Sequence, residues 1–259
     1  MNTNQVLFER TGPIARITLN RPEKLNALTD EMQRGLLEAL SEVERDPSLK
    51  VSVLSGSGDH FSSGYDLVEQ SAYTQIKASI QHNLGVVRDM RATHQAIWNS
   101  RKPIIGKIRG YCLAGGCDLQ MLCDVSVASN EAKLGNPGVS IGGVSAMPLY
   151  AWTLGTRKAK ELLLTGKLID GEEAARIGLV NEAVPADLLD TTVETLAQQM
   201  ATLPVDSLTL CKESLNLAAD AMGLAAIFRS AGMVSALSRF GEEVNVDLSK
   251  QRERITGAS

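Results

Sequence analysis

The chain has 259 residues, 44% hydrophobic and 22% charged, with a formal net charge of −4. That length suits one large domain or one domain with a helical appendage, and the composition is that of a globular protein. The negative balance, without a basic stripe interleaved with aromatics, argues against nucleic acid as a partner. The start MNTNQVLFERTG has no basic n-region followed by an apolar h-region, and no apolar run reaches membrane-spanning length. A cytoplasmic protein without membrane insertion is therefore expected. Cysteines at 112, 117, 123 and 211 make neither a disulfide pattern nor paired zinc spacing, and the three histidines, 60, 82 and 94, are too few for a multi-histidine site. No metal is expected.

Val6 to Arg10 and the alternating run Ile14 to Leu19 read as a hairpin around Thr11-Gly12-Pro13. Asn20 to Glu23 is a turn. Thr29-Asp30-Glu31 starts a helix that runs to about Asp46, with Pro47 closing it. Val51 to Leu54 is a short buried strand that enters a glycine-rich loop over 55–64. Residues 71–100 read as mostly helical, with Ile76, Ile80, Leu84, Val87, Met90 and Ile97 near helical spacing. Lys102 to Ile105 begins a strand, Gly110 to Gly116 is a loop, Cys117 to Leu122 a helix, and Asp124 to Ala128 another strand. This rhythm implies repeated crossover units. After Gly155 helical patterns dominate, at 156–164, 171–176, 186–201, 205–219 and 223–237, with Val180 to Val184 as a short exception. The stretch from Glu242 to Ser259 reads as a last helix and a frayed tail.

Two small-residue segments stand out: Phe61-Ser-Ser-Gly-Tyr-Asp-Leu67 and Gly110-Tyr-Cys-Leu-Ala-Gly-Gly-Cys-Asp118. Each exposes backbone N–H groups, and the second runs directly into a carboxylate. Two such turns supply two donors to one oxygen, an arrangement that stabilises an enolate or oxyanion.

With Leu19-Asn-Arg-Pro-Glu-Lys-Leu-Asn-Ala-Leu28, Lys102-Pro-Ile-Ile105, Cys123-Asp124 and Thr165-Gly followed by Ala174-Ala-Arg-Ile-Gly-Leu-Val-Asn181, these segments carry a resemblance. The chain resembles the enoyl-CoA hydratase/isomerase, or crotonase, superfamily over nearly its whole length. The resemblance implies an α/β fold, the ClpP/crotonase spiral of β-β-α units, with a core over 1–200 and a C-terminal helical region over 201–259 that drives trimerisation. It implies a homotrimer or a dimer of trimers, an acyl-CoA thioester as substrate, and no redox or metal cofactor, coenzyme A being part of the substrate.

Carried over residue by residue, the resemblance makes the N–H groups of Tyr65 and Gly115 the two donors to the thioester oxygen. It places Lys24, Ala27, Leu28, Ser63, Asp66 and Leu67 along the coenzyme A channel. It makes Asp118 the first acid/base position, one methylene shorter than the glutamate of two-glutamate hydratases. The second glutamate position falls on Gly138, and the further aspartate of dienoyl-CoA isomerases falls on Ala146. A dehalogenase-like pattern asks for a histidine where Arg91 stands and for an aspartate that 139–155 lack. Asn136, Ser140 and Ser145 are polar but poor bases unaided. His82 and His94 read as ordinary surface or interface histidines, and Asp124 as structural.

Three outcomes follow. The chain is a hydratase or isomerase using Asp118, most readily a 2-enoyl-CoA hydratase; or it runs another reaction of the superfamily, such as hydrolysis or decarboxylation; or it is a non-catalytic acyl-CoA-binding protein of the same fold.

Overall fold

The computed structural model describes residues 4–67, 69, 80–141, 143–145, 147, 149–228 and 233–234. β1 (Val6–Thr11) and β2 (Ile14–Leu19) pair antiparallel across a turn at Gly12, where φ is +57°. β3 (Val51–Gly56), β4 (Ile104–Ile108), β6 (Val125–Ser129) and β9 (Glu182–Val184) continue the sheet in parallel, in the order β1-β2-β3-β4-β6-β9. A second, three-stranded sheet joins β5 (Tyr111–Leu113), β7 (Lys133–Gly135) and β8 (Ile169–Asp170). Its strands are too short to show alternation, and β5 lies inside the stretch expected to be loop.

The parallel strands are apolar on both faces, as a sheet covered on both sides must be. Ile14, Val51, Val53, Ile105 and Val127 pack under Leu189, Val193, Ala197 and Ala201 of a helix at Leu189–Ala201. The opposite face, with Ile17, Leu19, Leu54, Ile104 and Ile108, belongs to the main core with α1 (Asp30–Arg45). Each fully buried Leu, Ile or Val of this kind contributes roughly 1.5–3 kcal/mol.

α1 forms for readable reasons. Thr29 caps it, its Oγ1 accepting from Met32 N at 3.0 Å; Asp30 and Glu31 sit in the first turn and Arg45 in the last. Met32, Gly35, Leu36, Ala39, Leu40 and Val43 make its buried stripe.

The remaining helices are α2 (Ile80–Trp98), α3 (Gly115–Leu122), α4 (Leu149–Thr165), α5 (Gly171–Arg176), α6 (Leu189–Ala201, already described) and α7 (Val205–Ala221). α4 begins earlier than its sequence pattern and is broken at Gly155, where φ is +72°. Of the helix expected over 71–100, the part before Ile80 falls outside the described residues. So do most of the expected 223–237 helix and the tail from Glu242.

α7 is tied to the rest of the fold by polar contacts, Asn216 Nδ2 donating to Trp98 O at 2.9 Å and Lys212 reaching Asp124. Lys212 Nζ donates to Asp124 Oδ2 at 2.8 Å, and the same carboxylate oxygen accepts from Ile104 N at 2.7 Å. Asp124 is structural, as its place ahead of β6 suggested. Leu210, Leu215, Leu217 and Met222 on and just after α7 are exposed. No described helix is long and apolar enough to cross a membrane.

Candidate active site

The site is built where three loops meet. The first follows β2. Leu25 and Asn26 both take left-handed conformations, with φ of +54° and +51°. That strain is held by Asn26, which is wholly buried. Its Oδ1 accepts from Arg21 N at 2.8 Å, and its Nδ2 donates to Ser57 O at 2.9 Å and His60 O at 2.7 Å. Asn26 tolerates this backbone better than most residues.

The second loop, 61–67, is stitched to the first by main-chain bonds. Ser63 N donates to Leu25 O, Leu28 N to Gly64 O at 2.8 Å, and Asp66 N to Leu28 O at 2.9 Å. Ser62 Oγ donates to Asn26 O at 2.8 Å. Asp66 is further fixed by Arg21 at 2.6 Å.

The third loop leads from β5 into α3. Leu113 N donates to Ser62 O, and Ala114 N donates to Gly135 O, both at 2.9 Å. Ala114 sits at φ +46°, ψ −118°, a conformation alanine rarely holds. The kink opens the first turn of α3, where N–H groups have no intrahelical acceptor and the helix dipole favours negative charge.

Gly64 and Gly115 lie where the second and third loops meet. A Cβ on Gly64, already at φ +93°, would lie 2.9 Å from Leu113 O and 3.1 Å from Gly115 N. A Cβ on Gly115 would lie 2.5 Å from Cε2 of the Tyr65 ring. Backbone contact and a positive φ call for glycine at 64, the Tyr65 ring crowds any side chain at 115, and the segments carrying the N–H groups of Tyr65 and Gly115 are brought side by side.

Asp118 lies one turn into α3 and is 3% exposed. Its Oδ1 has no hydrogen-bond partner among the described residues, and burial pushes its carboxyl up to about 8. At neutral pH it is mostly a protonated acid, able to donate. The Tyr150 hydroxyl is buried and likewise without a partner among the described residues, and the Tyr150 phenol is raised well above its usual range by burial and by Cys117 and Asp118 nearby. Cys112 and Cys117 are buried in the same neighbourhood, the core role expected of them.

His94 corrects the sequence expectation. It is not a surface histidine: it is 5% exposed, and its Nε2 lies 3.0 Å from the Tyr65 hydroxyl. Burial, with Arg91 on the same helix, pushes it down to about 4, so it is neutral at physiological pH. Tyr65 forms part of the wall of a narrow crevice with Leu28, Met32, Gln33, Leu36, Thr93 and Leu119, closed too tightly to admit a water molecule. Two buried oxygens of these residues, Thr93 Oγ1 and Gln33 Oε1, have no hydrogen-bond partner among the described residues.

The fourth segment, after β7, supplies no acid. Gly138 N donates to Asn136 Oδ1 at 3.0 Å, and a Cβ on Gly138 would lie 2.8 Å from that oxygen. Ser140 Oγ donates to Pro137 O, and Ser145 Oγ accepts from Met147 N, so both serines are engaged within their own loop. Ala146 and the His82 side chain lie outside the described residues.

Of the residues singled out from sequence, Ala27, Leu28, Ser63, Asp66 and Leu67 gather along the joined first and second loops, with Tyr65, Gly115 and Asp118 next to them. Lys24 is exposed at the tip of the first loop, in a short 3-10 turn. Sequence reasoning missed Asn26 as the hub of that loop and His94 as the partner of Tyr65. The signal for His94 was present: it stands four residues after Met90 and three before Ile97, on the apolar stripe of its helix. No group of three or more His, Cys, Asp or Glu side chains able to hold a metal occurs among the described residues.

Comparison with known proteins agrees with this architecture. The model of the enoyl-CoA hydratase/isomerase family matches residues 9–241. The probable enoyl-CoA hydratase of Mycobacterium bovis is 35% identical over 209 residues, covering 78% of this chain and 79% of that protein. The short-chain-enoyl-CoA hydratase of Clostridium acetobutylicum is 31% identical, covering 79% and 78%. The crystal structure of an enoyl-CoA hydratase/isomerase from Xanthobacter autotrophicus Py2 superposes with a TM-score of 0.89 at 31% identity, over 98% of this chain and 94% of that one. The fold is thus the crotonase α/β fold, and the chain belongs to the enoyl-CoA hydratase/isomerase family.

Proposed function

We propose that this protein hydrates a 2-enoyl-CoA through an enolate held by two backbone donors. The observation that carries the reading is the forced convergence of Gly64 and Gly115, with a Cβ on one falling 3.1 Å from the N of the other. In this reading the N–H groups of Tyr65 and Gly115 bond the thioester oxygen. They bond it more strongly as charge develops there, so they favour the transition state over the bound substrate. Asp118, buried and protonated, delivers the proton that the α-carbon takes up.

Coenzyme A enters as part of the substrate. Its path runs over the first and second loops, past Lys24, Ala27, Leu28, Ser63, Asp66 and Leu67. Lys24, exposed at the loop tip, is placed to meet a phosphate by charge. The exposed leucines of α7 support self-association as a homotrimer or a dimer of trimers, and a cytoplasmic setting accords with a coenzyme A thioester substrate.

One observation favours a second reading. Gly138 supplies no carboxylate, which suits a reaction needing the oxyanion donors more than an acid pair, such as thioester hydrolysis or decarboxylation. The test is mass spectrometry after incubation with crotonyl-CoA and with a long-chain trans-2-enoyl-CoA. Hydration predicts a catalytic gain of one water at a rate that Asp118→Asn lowers about 100-fold. Release of free coenzyme A would replace the first reading by thioester hydrolysis, and loss of carbon dioxide from a malonyl-type thioester with the thioester kept would replace it by decarboxylation.

A further inference from the structure

We propose that the Tyr65 hydroxyl and the His94 imidazole act together as the base of the reaction, taking the place of the carboxylate that Gly138 cannot provide. This rests on the acyl-CoA reading of the site but concerns side chains which that reading leaves idle.

Three observations converge. The Tyr65 hydroxyl and His94 Nε2 lie 3.0 Å apart, within proton-transfer reach. The Tyr65 ring lies over Gly115, so the phenol belongs to the residue that contributes one donor N–H and packs on the residue that contributes the other. The crevice that Tyr65 walls contains two buried oxygens with no partner among the described residues, on Thr93, which is 1% exposed, and on Gln33. Such oxygens cost stability while they are unmet, and they make the wall beside the Tyr65 ring polar although the crevice admits no water as it stands.

The basicity also fits. A histidine held near 4 is about as basic as an ordinary glutamate, and it is unprotonated at neutral pH. The step balances without any further reactant. The water oxygen bonds to the β-carbon while the π pair moves toward the thioester oxygen. The phenol oxygen takes one water proton as its own proton passes to His94 Nε2. Asp118 protonates the α-carbon, the carbonyl re-forms, and solvent returns the His94 proton to Asp118. The relay requires the His94 tautomer with its proton on Nδ1.

The experiment uses wild type, Tyr65→Phe and His94→Gln, incubated with crotonyl-CoA in heavy-oxygen water, with products weighed by mass spectrometry. Tyr65→Phe keeps the ring and the donor N–H. His94→Gln keeps a hydrogen-bond acceptor that cannot take the proton. Each is expected to lower the rate of heavy-oxygen incorporation by about 100-fold, with affinity for unreactive butyryl-CoA within threefold of wild type. Should His94→Gln fail to fold, Tyr65→Phe decides alone. Incorporation by Tyr65→Phe within threefold of wild type would overturn the proposal. If wild type places heavy oxygen in a free acid instead of a hydroxyacyl thioester, the hydration reading fails, and the same ratio still decides the role of the pair. If wild type places it in no product, the pair activates no water and the proposal falls.

Discussion

The two sides of this site are built from different materials. The side proposed to donate to the thioester oxygen, loops 61–67 and 110–118, is main chain held by main chain: Leu28 N to Gly64 O, Leu113 N to Ser62 O, Ala114 N to Gly135 O. The side proposed to handle protons consists of side chains: Asp118, whose Oδ1 has no partner among the described residues, Tyr65 bonded to His94, and an empty position at Gly138. Backbone donors depend on the path of the chain and tolerate varied side chains. Acid and base groups depend on single residues, so one substitution changes them. A family resemblance therefore carries over elements of the first kind more safely than elements of the second.

The sharpest way to break the donor side is Gly115→Pro, which deletes the N–H and adds bulk beside the Tyr65 ring. Turnover should fall at least 10²–10³-fold, the loss of about 3–4 kcal/mol of transition-state stabilisation typical of one oxyanion donor. Steady-state kinetics on protein shown to be folded by circular dichroism checks it.

Asp118→Asn attacks the other side. Activity should fall roughly 100-fold while acyl-CoA affinity, measured by calorimetry, is kept, because the neutral amide mimics the protonated acid in all but proton donation.

The same carboxyl makes a stability prediction. Its folded pKa of about 8 lies above the unfolded value near 3.9, so its contribution is fully present below pH 4 and is lost as pH rises to about 8. His94 acts oppositely. Its folded value of about 4 lies below the unfolded 6.5, so its contribution is present above pH 6.5 and is lost as pH falls toward 4. Denaturant melts of Asp118→Asn should lose the first slope, and those of His94→Gln the second.

A gentler test restores what is missing. Gly138→Glu, made in a Tyr65→Phe background, should recover activity by about 10-fold if the two positions serve one base. Asn136 must shift for it, since its Oδ1 lies 2.8 Å from the new Cβ. Made in wild type, the same change should alter activity less than threefold.

The smallest expected effect concerns the attachment of α7. Lys212→Ala leaves the Asp124 carboxylate with backbone N–H donors alone and should lower stability by roughly 2 kcal/mol without changing activity. A thermal melt reads it.

How much of this was legible follows the same division. α1 announced itself through Thr29, its acidic first turn and its apolar stripe, because those signals are local. The loops of Tyr65 and Gly115 were legible because clustered small residues advertise close backbone approach. β5, β7 and β8 were not, since two or three residues carry no period. The Tyr65–His94 pair was not read, because it joins residues 29 apart whose meeting depends on where α2 packs. Asn26 was passed over within its segment, although its left-handed backbone and four side-chain bonds hold the first loop.

The most direct test of the central claim is difference infrared spectroscopy of a thioester labelled with carbon-13 at its carbonyl, free and bound. Two backbone donors aimed at that oxygen predict a carbonyl band shifted to lower frequency on binding, with the shift largely lost in Gly115→Pro. A bound thioester whose carbonyl band stays at its free position in wild type would contradict the account.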